Sequence, residues 1–83
     1  MKKYEFTGET KTVSFLFEDV TLHRIQAITS FASVVAGELG GWIEKEENLS
    51  HKGNAWVSEN AAVYGDAVVS GNAWVSENAV VRG

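Results

Sequence analysis

Apolar residues in the second half of the chain recur every six positions. Val57, Val63, Val69, Val75 and Val81 form one row, and Ala55, Ala61, Ala67, Ala73 and Ala79 form another two residues earlier. Asn54, Asn60, Asp66, Asn72 and Asn78 precede the alanines, and Gly53, Glu59, Gly65, Gly71, Glu77 and Gly83 complete the pattern. In an extended segment Ala and Val two apart share one face, and the residue between them points to the other. The Gly/Glu–Asn/Asp pair then turns the chain, because Gly and Asn tolerate left-handed backbone. A longer period overlies the shorter one. Residues 53–65 and 71–83 are identical at eleven of thirteen positions, at an offset of eighteen. Three strand-and-corner units predict a triangular coil of eighteen residues, with successive coils stacked at about 4.8 Å. The apolar spacings of three and four that an amphipathic helix needs are missing.

Ile43 and Leu49 extend the valine row backwards, but the step from Leu49 to Val57 is eight. His51 and Lys52 therefore read as a two-residue insertion bulging from a corner. Residues 41–83 are expected to form a little over two coils, fewer than the roughly three repeats that usually stand alone. Residues 1–40 are the expected cap, as part of one compact domain. Tyr4 and Phe6, then Val13, Phe15 and Phe17, then Val20, Leu22 and Ile25 suggest a three-stranded antiparallel meander. Thr7-Gly8-Glu9 and Glu18-Asp19 fall where hairpin turns belong. Residues 24–35 fit either a third strand or a helical turn.

Composition narrows the function. Cysteine is absent, so disulfides and thiolate metal sites are excluded, and two histidines are too few for an all-histidine metal cage. A formal charge of −4 argues against nucleic acid, which needs clustered Lys and Arg. No apolar run approaches the roughly 20 residues of a membrane span, and MKKYEFTGE lacks the apolar stretch of a signal peptide. The expectation is a soluble, cytoplasmic protein with no membrane or nucleic-acid partner.

The pattern Val-x-Gly/Glu-Asn/Asp-Ala-x resembles the hexapeptide repeat of left-handed β-helices. That resemblance implies an all-β fold, a short left-handed β-helix capped by the N-terminal meander, and it alone supplies the handedness. The chain departs from the pattern after the valine, where many family members carry Gly or an acid and Ser58, Tyr64, Ser70, Ser76 and Arg82 stand here. KKYEFTGETK, VTLHRIQAI and GELGGWIEKEENLSHKGNAWV resemble, more narrowly, small hexapeptide-repeat proteins of phages and prophages. This implies residence in the cytoplasm of an infected or lysogenic bacterium.

Candidate chemistry is sparse. Acyltransferases of the resembled family place a histidine base beside a coenzyme A groove, and His51 is the histidine nearest the coils. Those enzymes use several more coils, and a zinc hydratase of that architecture needs three histidines that His23 and His51 cannot supply. No residue is therefore assigned to catalysis, to a metal or to a cofactor. Glu59 and Glu77 should stack one coil apart, where their like charges repel unless a cation, water or basic partner intervenes. Asn54 over Asn72 and Asn60 over Asn78 suggest side-chain amide ladders.

Trp56 and Trp74 sit between inward Ala and inward Val, so both rings should lie on one outer face. Either the N-terminal strands cover them or a partner does. The leading expectation is a non-enzymatic protein that self-associates through its coil faces and open last coil, using Trp56, Trp74, Val68, Val80, Tyr64 and Arg82 in a homo-oligomer. The alternative is a phage-encoded binder or inhibitor of a host protein, presenting Glu44, Glu46, Glu47, Glu59 and Glu77. An acyltransferase-like remnant using His51 is a third reading.

Overall fold

A computed structural model describes residues 2–15 and 17–83, and for Phe15 its backbone alone. Two long strands, β1 (Tyr4–Phe15) and β2 (Glu18–Ala27), pair antiparallel, with Phe15 opposite Glu18 at the reversal. The alternation in this half therefore marks one long hairpin. Thr7-Gly8-Glu9 is not a turn. The register shifts by two between Phe6↔Ile25 and Thr10↔His23, so these three residues form a bulge opposite Arg24, with Gly8 at φ 98°. A bulge and a hairpin turn call for the same permissive residues, and residue type alone cannot separate them. Residues 28–38 form neither a strand nor a helix. They make a loop closed by a Phe31↔Val34 bridge and by Gly37 N–H donating to the Ala27 carbonyl at 2.7 Å. The third strand of the meander is instead β3 (Leu39–Ile43), antiparallel to β2.

The repeat tract follows as short strands: β4 (Trp56–Val57), β5 (Ala62–Tyr64), β6 (Trp74–Val75) and β7 (Val80–Arg82). Pairing is parallel and in step with the sequence period: Trp56 lies beside Trp74, Val57 beside Val75, and Val63 beside Val81. Earlier in the chain the offset is twenty, with Trp42 beside Ala62, Ile43 beside Val63 and Leu49 beside Val69. Two additional residues between Leu49 and Val57 account for the difference, at the position of His51 and Lys52.

The expected left-handed β-helix needs correction. The strands assemble as a mixed five-stranded sheet, β1-β2-β3-β5-β7, and a separate two-stranded sheet, β4-β6, with no closed or solenoid sheet. Two features account for this. The repeats contribute only two or three layers of strands two to five residues long. The first layer also gives one edge to the antiparallel hairpin, so its sheet is not purely parallel.

The core lies between these sheets. Ile43, Leu49, Val57, Val63 and Val69 fill it with Ala55 and Ala61, and Tyr4, Ile25, Ala27 and Val34 close one end. A second cluster on the other face of the five-stranded sheet joins Val20 and Leu22 to Trp42, Ala62 and Tyr64. Gly40 sits where the hairpin and repeats meet. A Cβ there would lie 2.7 Å from Ile25 Cγ1 and from Trp56 Cζ2, and 2.8 Å from the Val57 carbonyl oxygen. Gly40→Ala is expected to lower stability by about 1–3 kcal/mol through overpacking, measurable as a reduced urea midpoint with an unchanged slope.

Candidate functional site

The densest set of polar interactions surrounds the corner at residues 44–55, where the start of β1 crosses it. Lys3 is buried, and its ammonium donates to the Ala55 carbonyl at 2.6 Å and the Gly53 carbonyl at 3.2 Å. The same nitrogen lies 4.5 Å from the centre of the Phe31 ring. Burial pushes the Lys3 ammonium below its ordinary pKa. The Tyr4 hydroxyl donates to the Leu49 carbonyl at 2.6 Å and lies 3.0 Å from the Glu46 carbonyl. Burial raises its pKa, and the charges of Glu46 and Glu47 add to the shift, so the phenol stays neutral.

His51 lies against these residues. Its ring stacks on Tyr4 with centroids 4.1 Å apart and planes 14° from parallel. Nδ1 accepts the Lys3 backbone N–H at 3.2 Å, which leaves the proton of the neutral ring on Nε2, facing Glu46 Oε1 at 3.2 Å. Glu46 also pairs with Lys2 at 3.2 Å. The hydrogen bond from Lys2, with a lesser one from His51, holds the Glu46 carboxyl below its ordinary range. The inserted histidine is thus no solvated loop residue. Nor does it offer a lone pair for proton abstraction, because both ring nitrogens are engaged.

Asn48 ends the 3-10 turn Glu46–Asn48 and is fully buried. Its Oδ1 accepts the N–H groups of Glu44 and Lys45 at 3.1 and 2.9 Å, and its Nδ2 donates to the carbonyls of Gly65 and Ala67 at 3.1 and 2.9 Å. One amide therefore ties the first corner to the layer beside it. An open cleft of about 260 Å³ borders this corner, lined by Glu18, Val20, Glu44, Lys45, Tyr64 and Arg82 among others. Glu44 Oε1 in that lining accepts the Gly65 N–H at 2.8 Å.

The expected interface residues separate. Trp56 is fully buried, beneath Phe31 at a centroid distance of 5.3 Å and Tyr4 at 6.5 Å. Trp74, its neighbour in the ladder, is 43% exposed. Val68 and Val80 are exposed, Arg82 is exposed, and Tyr64 is buried in the second cluster. The N-terminal segment therefore covers the first indole. Among the acidic residues, Glu44 and Glu46 are occupied by the contacts above, while Glu47, Glu59 and Glu77 are exposed. The corner asparagines are exposed too, and the layers join through the backbone instead, with Asn54 N–H donating to Gly71 and Asn60 N–H to Glu77. Among the described residues no group of three or more His, Asp or Glu could hold a metal ion, and no helix is long and apolar enough to cross a membrane.

No family model matches the chain. Over 75 residues it is 39% identical to a protein of Escherichia coli (strain K12) described as the uncharacterized acetyltransferase YdcK. The match takes in 84% of this chain, which spans only 23% of that protein's length. The finding corrects the expectation of a non-enzymatic phage-type protein, and equally that of a phage-encoded binder of a host protein. The likeness is to an acetyltransferase, and nothing links the chain to a phage.

Two outcomes check these assignments. Asn48→Ala should cost about 1–3 kcal/mol, because it removes the partner of four half-buried backbone groups, and should lower the thermal midpoint. Glu59 and Glu77 hold φ values of 59° and 60°, in the left-handed region also occupied by Gly53, Gly65 and Gly71. Glu59→Gly should therefore stabilise the fold by about 1 kcal/mol, read as a higher urea midpoint.

Proposed function

We propose that the protein is an acetyltransferase of the hexapeptide-repeat kind, in which these residues form the sealed end of the parallel ladder. The observation that carries this reading is the 39% identity to a protein described as an acetyltransferase, extending over 84% of the chain. The geometry favours a supporting role for this segment. Acetyl transfer breaks the thioester C–S bond of a donor, forms a C–N or C–O bond to an acceptor, and passes the acceptor's proton to a base. His51 is poorly placed as that base, because Lys3 N–H occupies Nδ1 and Glu46 faces Nε2. Its contribution is to anchor the N-terminal strand over Trp56. On this reading the base is a residue other than His51.

A chimera tests the reading. Residues 1–83 would replace the matched segment of the E. coli relative, and acetyl-coenzyme A binding would be followed by calorimetry. The chimera should bind as its parent does. His51→Ala within it should leave that affinity unchanged and lower the thermal midpoint. A folded chimera that fails to bind where the parent binds overturns the proposal.

A further inference from the structure

We infer that the outer face of the five-stranded sheet carries a binding site for a phosphate dianion, formed by Lys11, Arg24 and the indole N–H of Trp42. The inference stands on this face alone and does not depend on the acetyltransferase reading. Arg24 on β2 lies opposite Trp42 on β3, and Lys11 on β1 lies opposite Leu22, two residues along β2 from Arg24. All three side chains therefore project from the same side of the sheet. The Lys11 ammonium lies 4.5 Å, and the Arg24 guanidinium carbon 5.3 Å, from the centre of the Trp42 ring. Both distances share one origin, so the two cations border a single spot.

Charge, geometry and an orphaned donor each call for an anion at that spot. Like charges held close together repel, and a carboxylate between them would relieve this. The chain has eleven acidic residues against seven basic ones. Yet among the described residues none of those acids pairs with Lys11 or Arg24. Arg24 donates from Nε to the Gly40 carbonyl at 2.9 Å. That bond orients the guanidinium and leaves its two terminal nitrogens for a bidentate partner. Trp42 is 5% exposed, and its Nε1 is buried with no hydrogen-bond acceptor. An oxyanion oxygen would supply the missing partner. Trp56 Nε1 is orphaned as well, but that ring is fully buried, with Tyr4 and Phe31 edge-on to it. Over Trp42 lies instead an exposed lysine, whose flexible stem swings aside to admit a ligand. Two cations and one neutral donor match a tetrahedral dianion better than a carboxylate.

The indole N–H signals of the intact protein, followed by NMR, read this directly. Inorganic phosphate is titrated at about pH 7.5, where it is largely dianionic, with ionic strength held constant by sodium chloride. The Trp42 signal should move saturably, while those of Trp56 and Trp74 stay in place. Lys11→Gln, a change at an exposed position, should weaken binding roughly tenfold and leave the thermal midpoint unaltered. Arg24→Lys, which keeps the charge and loses the fork, should weaken it by a similar factor. Ribose 5-phosphate, titrated in parallel, distinguishes the sources: tighter binding of the ester assigns a small phosphorylated molecule, and equal binding the free ion. A Trp42 signal that does not saturate, or three indoles that move together, overturns the site. So does wild-type affinity in Lys11→Gln, and an equal response to acetate overturns the choice of a dianion.

Discussion

A parallel ladder has two ends, and its first layer presents carbonyls with no strand to receive and side chains with nothing above them. Unmet, each buried carbonyl costs free energy comparable to a lost hydrogen bond. Here Lys3, just before β1, and Tyr4, its first residue, meet that demand. The Lys3 ammonium takes the carbonyls of Gly53 and Ala55, and the Tyr4 hydroxyl takes that of Leu49. The rings of Tyr4 and Phe31 lie edge-on to Trp56, which is fully buried. A lysine suits the position because its flexible stem packs on apolar surface while its head reaches two acceptors. Burial of a cation is tolerated because both carbonyl dipoles and an aromatic face point at it.

The hairpin completes the seal by joining the sheet itself. Arg24 opposite Trp42 and His23 opposite Ile43 carry the hydrogen bonding from repeats to hairpin, so both faces of the extended sheet acquire a core. On the outer face, Lys11 and Arg24 lie 4.5 and 5.3 Å from the Trp42 ring centre, giving that indole cationic neighbours while Val20 and Leu22 pack nearby. Gly40 and Gly41 allow the approach. Any side chain there would meet Trp56 and Ile25, or the carbonyl of Ala61. The stability of the repeats and the conformation of the first forty residues are consequently one problem, shared through a few contacts.

The inward rows were readable from period alone. Ile43, Leu49, Val57 and Val63 are fully buried and Val69 nearly so, because a spacing of six returns each to the same side of successive strands. The two-residue insertion was readable for the same reason, as a break in a regular count. What local pattern could not supply was anything decided by residues far away in the chain. Trp56 and Trp74 share identical neighbours for several positions on either side, yet one is sealed and the other 43% exposed, since Tyr4 and Phe31 reach only the first. Lys3 and Asn48 were invisible as structural residues. Nothing in their immediate sequence shows that carbonyls 50 residues on, or in the next layer, await a donor. The closed three-sided coil failed for a related reason: the period describes each rung, while the sheet boundaries depend on how many rungs there are and what pairs with the first.

The change of offset from twenty to eighteen bears on how such a chain can lengthen. Residues before the break and after it remain in step within their own strands, and the pairs Ile43↔Val63 and Val63↔Val81 form one continuous line across it. Insertions at a corner are thus absorbed locally, without moving any inward side chain to the wrong face. Corners are the sites at which this architecture can acquire new loops over evolutionary time, each addition free to be recruited, as the histidine-bearing one has been, into contacts with a distant part of the same molecule.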